Sequence, residues 1–89
     1  MALPIVAVVI CHHVGRVLIQ RCLNRLQTQR GVTVDLVVVT SDATYEAPWG
    51  RTLFLNDGPA GKRNYGTAHT TAEVIVYLDD DVEVAPDAL

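Results

Sequence analysis

The chain is 89 residues long, with seven Lys and Arg against ten Asp and Glu and a formal net charge of −3. That length holds one small domain at most. The acidic balance excludes a general nucleic-acid binder, which needs a basic face. A hydrophobic content of 49% with 19% charged residues excludes a disordered tail, and two cysteines cannot form a disulfide framework.

Taken in chain order, the apolar stretch from Ala2 to Cys11 has no basic flank or small-residue cleavage signal. It is far shorter than the ~20 apolar residues a membrane span needs. The expectation is a buried strand over Ile5–Cys11 and a cytoplasmic chain. Its continuous β-branched run suits a strand covered on both faces; a half-exposed strand would alternate. Gly15 breaks the run. From Arg16 to Gln29, spacings of three and four put Ile19, Cys22, Leu23 and Leu26 on one helix face, with Gly31 as the stop. Leu36 to Val39 is a second buried strand. Thr40 to Thr44 is loop chemistry, and Tyr45 to Gly50 is irregular. Arg51 to Asn56 alternates like an edge strand. Asp57 to Gly61 reads as a turn, and Lys62 to Ala72 as a helix whose Ala68 and Ala72 allow close approach to a sheet. Val74 to Leu78 is a fourth strand, closed by Asp79, Asp80 and Asp81. Pro86 to Leu89 resembles a first helical turn.

The order β-α-β-β-α-β predicts an α/β fold with a mostly parallel sheet. Ligands of such sheets bind beyond the carboxyl ends of the strands. His12, His13, Thr40, Ser41, Asp42, Asn56, Asp57 and the three aspartates all fall there. The acidity is also concentrated: Asp79 to Leu89 carries Asp79, Asp80, Asp81, Glu83 and Asp87 and no basic residue.

Successive carboxylates at a buried strand's end repel one another, and a divalent cation relieves the conflict. Strand alternation would put Asp79 and Asp81 on one side and Asp80 on the other, a pair able to hold a metal or a ribose hydroxyl. The plainer alternative is a solvated acidic turn. Gly58-Pro-Ala-Gly-Lys62 is not a phosphate loop, because two residues stand where four are needed and Arg63 follows the lysine. Lys62 and Arg63 could still face a diphosphate; otherwise they are an exposed helix start. Cys11, His12, His13 and Cys22 lack the spacing of a structural zinc site, which leaves the histidines as loop-forming or ligand-contacting groups.

Gly61-Lys-Arg-Asn-Tyr-Gly66, then Ala72-Glu-Val-Ile-Val-Tyr-Leu-Asp-Asp-Asp81, then Ala85-Pro-Asp-Ala-Leu89 resembles the family 2 glycosyltransferases. The resemblance covers Gly58 to Leu89. It implies the Rossmann-like GT-A fold, strand order 3-2-1-4, with residues 1–89 forming the N-terminal nucleotide-sugar-binding half. It implies that Asp79 and Asp81 hold Mn²⁺ or Mg²⁺. Asp79 and Asp80, with Lys62, Arg63 and Asn64, would stand at the nucleotide, and Asp42 would serve in the base-holding loop. The implied donor is a nucleotide-diphosphate sugar, most simply a UDP-sugar, transferred to an acceptor hydroxyl.

The chain departs from the family pattern at Thr40-Ser-Asp-Ala43, where the family has an Asp-Asp-Gly-Ser-like loop. It departs again at Cys11-His-His-Val14, where the family has Pro-x-x-Asn. No residue of the chain matches the family's catalytic base or acceptor half, so the expectation is donor binding without turnover by this chain alone. The alternatives are an inactive fragment, or a non-catalytic α/β module that self-associates or takes a missing C-terminal half as partner.

Overall fold

A computed structural model of the chain describes residues 3–89. The elements are β1 (Ile5–His12), α1 (Val17–Gln27), β2 (Thr33–Thr40), β3 (Arg51–Phe54), α2 (Pro59–Thr67) and β4 (Val74–Asp79). The four strands form one sheet, all parallel, in the order β3-β2-β1-β4. The α/β class and strand order are those the sequence predicts.

The two apolar runs form the central strands, β1 and β2, because both their faces are covered. On one face Val6, Val8 and Ile10 meet Leu36 and Val38, and the stripe Ile19, Cys22, Leu23 and Leu26 of α1 closes over them. On the other face Val9, Val37 and Val39 form a second cluster with Leu53, Leu55 and Ile75. There α2 lies close to the sheet. A Cβ at Gly66 would sit 2.5 Å from Val9 Cγ1, so Gly66, rather than Ala68 or Ala72, is the close-approach residue. Right-handed crossovers running in opposite directions along the sheet, β1 to β2 one way and β3 to β4 the other, require this placement of the helices on opposite faces.

Several boundaries differ from the expected ones. α1 stops at Gln27 because the Thr28 hydroxyl donates to the Arg25 carbonyl at 3.0 Å, competing with the helical ladder. Gly31, at φ +80°, serves the turn into β2 instead. α2 starts at Pro59 and not at Lys62: proline suits the first helical position, whose N–H has no partner anyway. It ends at Thr67, so Ala72 lies outside the helix.

Pro86 to Leu89 forms no helix. Its turn, closed by Ala88 N–H to the Ala85 carbonyl at 3.1 Å, docks on the end of α1 through Arg30 N–H to the Pro86 carbonyl at 2.7 Å. Val84 and Leu89 join the α1-side core. Near the amino ends of β2 and β3, Arg51 grips Asp35 with one guanidinium nitrogen 2.9 and 3.0 Å from its two carboxylate oxygens. The Thr70 hydroxyl donates to Asp35 at 2.7 Å, and Arg51 also bonds the His69 carbonyl. These contacts tie the segment after α2 to β2 and β3. Among the described residues, no helix is long and apolar enough to cross a membrane.

Candidate functional site

The strand order reverses direction between β1 and β4, since β2 and β3 lie on one side of β1 and β4 on the other. Such a switch point opens a crevice at the carboxyl ends of the strands. A cleft of about 440 Å³ lies there, lined by Cys11 and His13 from β1 and its loop, Asp57 and Gly58 just before α2, Pro59 and Lys62 from its first turn, Asp79 at the end of β4 and Asp80 in the turn after it.

Asp79 is the last residue of β4 and the register partner of Cys11. Beyond it the chain turns at Asp80 and Asp81, with Val82 N–H donating to the Asp79 carbonyl at 3.3 Å. Strand alternation therefore ends before Asp81. Asp79 and Asp80 line the cleft, and Asp81 follows them in the turn. Asp80 also borders a neighbouring pocket of about 230 Å³ with Gly15, Arg16 and Val17.

The acidic turn acts on both thiols. Burial first, then the charges of Asp80, Asp81 and Glu83, push Cys22 up to about 11. Burial also raises Cys11; Arg63 and Lys62 oppose that rise, while Asp79 and Asp80 add to it. Among the described residues, no cation stands within ion-pair distance of Asp79, Asp80 or Asp81.

Among the described residues, no three or more His, Cys, Asp or Glu side chains make a ready metal cage. Mg²⁺ ordinarily needs no such cage, taking one or two carboxylates, waters and substrate phosphates. Unpaired carboxylates at a strand end are oxygen donors of that kind, so the donor set fits a cation shared with a phosphate ligand.

Lys62 is not an exposed helix start. It is 4% exposed, and its Nζ donates to the His12 carbonyl at 2.9 Å. Arg63 is exposed on the same helix, with its guanidinium 6.0 Å from the centre of the Tyr77 ring. Asn64 is exposed, and its carbonyl accepts the Ala68 N–H at 3.1 Å. Neither lines the cleft. The cap residue of α2, Gly58, has no side chain to satisfy the first turn. Asp57 instead accepts the Gly58 N–H at 2.7 Å.

Asp42 belongs to a second depression, of about 360 Å³, beyond β2 and β3. Its carboxylate accepts the Thr44 N–H at 2.9 Å and the Thr44 hydroxyl at 2.7 Å, and Arg16 lies 3.5 Å away. The Thr44 hydroxyl first, then the Thr44 backbone N–H, hold it below the ordinary aspartate range against the opposing effect of burial, with Arg16 and His12 adding less.

Sequence reasoning placed His12 and Asp57 at this edge of the sheet without their structural settings, and missed Tyr45. His12 is a buried strand residue rather than part of a loop. Tyr45, read as the start of an irregular segment, is buried with its ring 4.5 Å from that of His12. Asp57, read as part of a turn, borders the cleft. Only Asp57 left a local signal, standing just before a Gly-Pro helix start.

Residues 52–89 match the family model described as Glycosyl transferase family 2. A comparison with curated proteins finds no match to the chain. The matched stretch runs from β3 through α2 and β4 to the end of the acidic turn and the docked C-terminal segment. It includes Lys62 and the three aspartates and leaves out Asp42. It agrees with the resemblance read from the sequence and supports a role in glycosyl transfer.

Proposed function

We propose that the cleft between β1, β4 and the start of α2 receives the diphosphate of a nucleotide sugar, whose sugar passes to an acceptor hydroxyl. A UDP-sugar is the donor we favour. Asp79 and Asp81 would hold Mn²⁺ or Mg²⁺, with Asp80 on the nucleotide beside them. When bound, the cation supplies Lewis-acid stabilisation of the leaving nucleoside diphosphate. Lys62 contributes a fixed positive charge near the phosphates, and Arg63 and Asn64, on the outer side of α2, meet the ligand's solvent side. Asp42 and its loop hold the nucleoside.

The observation that carries this reading is the meeting of Asp79, Asp80 and the buried Lys62 in one cleft at the switch point, inside the matched stretch. Thermal melting in MnCl₂ with a panel of nucleoside diphosphates tests it. UDP should raise the midpoint only with the metal present, and Asp79→Ala or Asp81→Ala should abolish the rise. No metal-dependent shift with any nucleotide would overturn the reading.

A second reading is self-association along β4. That edge strand exposes Val74 at 54% and Tyr77 at 46%, and an uncovered edge invites pairing. Light scattering discriminates: a dimer indifferent to nucleotide and lost in Tyr77→Lys favours it.

A further inference from the structure

We propose that His12 is the positioning residue of the donor site, fixing the Asp42 loop with its side chain and Lys62 with its main chain. This rests on the reading of the Asp42 loop as the nucleoside side and of Lys62 as the phosphate side. His12 ends β1, and successive strand residues address opposite faces. Its ring lies on the α1 side of the sheet, against Tyr45. Its carbonyl meets Lys62, which comes from α2 on the other side.

The ring's hydrogen bonds fix its tautomer. Nε2 is 2.5 Å from the Gly15 carbonyl, which can only accept, so Nε2 carries the proton. In the neutral ring Nδ1 then accepts from the Thr40 hydroxyl at 2.8 Å, a closer acceptor for that proton than the Asp42 carbonyl 3.5 Å away. That hydroxyl oxygen in turn accepts the Asp42 N–H at 2.9 Å. Every donor in the chain has one acceptor, and the chain ends on the backbone of Asp42. The loop after β1 is anchored through Gly15, and the adjacent Arg16 donates to Thr44 at 3.0 Å. Two loops and one helix thus take their positions from one buried residue.

The two arms separate in experiment. His12→Phe keeps a ring against Tyr45 and keeps the carbonyl for Lys62, but removes both side-chain hydrogen bonds. His12→Asn retains a polar group within reach of Thr40. Amide exchange of Asp42 and Thr44, followed by NMR, and titrations of UDP and of inorganic pyrophosphate in MnCl₂ provide the readouts.

In His12→Phe the two amides should exchange about tenfold faster and UDP should bind about tenfold more weakly, as the loss of one buried hydrogen bond implies. Pyrophosphate should bind as it does to the wild-type chain. His12→Asn should restore most of the protection and of the UDP affinity. Unchanged exchange at Asp42 and Thr44 in His12→Phe would overturn the proposal, whatever the nucleotide does. An equal loss of UDP and pyrophosphate would also overturn it, by showing a general loosening. A wild-type chain that binds neither ligand would sink the donor reading, and with it the functional half of this proposal; the exchange data would still decide the loop-fixing half.

Discussion

Lys62 Nζ donates to the carbonyl oxygen of His12 at 2.9 Å, and both residues are buried. The carbonyl belongs to the last residue of β1, so this bond fastens the start of α2 to the mouth of the sheet. A lysine ammonium has three donors, and this carbonyl is the one hydrogen-bond partner found for it among the described residues. Its position on the wall of the cleft leaves the charge available to an anion there.

Lys62→Met keeps the aliphatic stem and removes the ammonium. The His12 carbonyl then loses a charge-assisted partner in a buried setting, at a cost of about 1–3 kcal/mol. The urea midpoint should fall accordingly. Pyrophosphate affinity in MnCl₂ should fall as well, and by more than the affinity of the metal alone. A variant with wild-type stability would show that the bond is dispensable to the fold.

The sequence made the sheet legible because β1 and β2 are central strands, and their double burial writes itself as uninterrupted Val and Ile. The site was legible as a place, since parallel topology sends Asp42, Asp57 and Asp79 to one edge. Its detail was not. Alternation was carried on to Asp81, whereas β4 ends at Asp79 and the chain turns at Asp80; local pattern does not announce where a strand stops. Lys62 looked like an exposed helix start because the helix was read as beginning there. Starting it at Pro59 carries Lys62 one turn inward, to the His12 carbonyl. No local signal marks that contact, which joins residues 50 apart. The family match begins at residue 52, so it gives no help with Asp42, His12 or Tyr45.

Gly66 and Gly61 offer a matched pair of substitutions on α2. Alanine gains about 1 kcal/mol over glycine in a helix interior. At Gly66 the new methyl would meet Val9 Cγ1 at 2.5 Å and Val39 Cγ2 at 3.3 Å. Both are β-branched residues of central strands, with little freedom to turn. Overpacking of this kind costs roughly 1–3 kcal/mol, so Gly66→Ala should be net destabilising. At Gly61 the obstruction is the Asp57 carboxylate, the end of an exposed side chain that can swing away by exchanging its bond to the Gly58 N–H for water. Gly61→Ala should be close to neutral in chemical denaturation. The reverse ranking would show that α2 does not lie against the sheet as described.

Asp42 predicts an acid limb of stability. Its folded-state carboxyl lies below the ordinary range because Thr44 donates to it through hydroxyl and backbone. A depressed carboxylate contributes stability that is present above the ordinary aspartate value, about pH 4. That contribution is lost as pH falls through the lower folded value. Asp42→Asn should therefore narrow the gap between midpoints measured at pH 6 and pH 3. A gap unchanged in Asp42→Asn would remove Asp42 from the acid transition.

The thiols predict an ordered labelling pattern. Cys22 is buried under α1 and pushed up to about 11, first by burial and then by Asp80, Asp81 and Glu83. Cys11 is half-buried in the cleft wall and raised in the same direction. Thiolate is the reacting species, so a raised pKa slows both relative to free cysteine. At pH 8 iodoacetamide should label Cys11 slowly and leave Cys22 untouched until urea is added. A thiol whose folded pKa is raised favours the fold below its unfolded value, about 8.5. That preference disappears as pH rises through the folded value. Stability should accordingly decline between about pH 8.5 and 11, and Cys22 should become reactive over the same interval. Peptide mapping after timed alkylation checks the order. Labelling of Cys22 before Cys11 in the native chain would place the acidic turn elsewhere than beside Cys22 in the middle of α1.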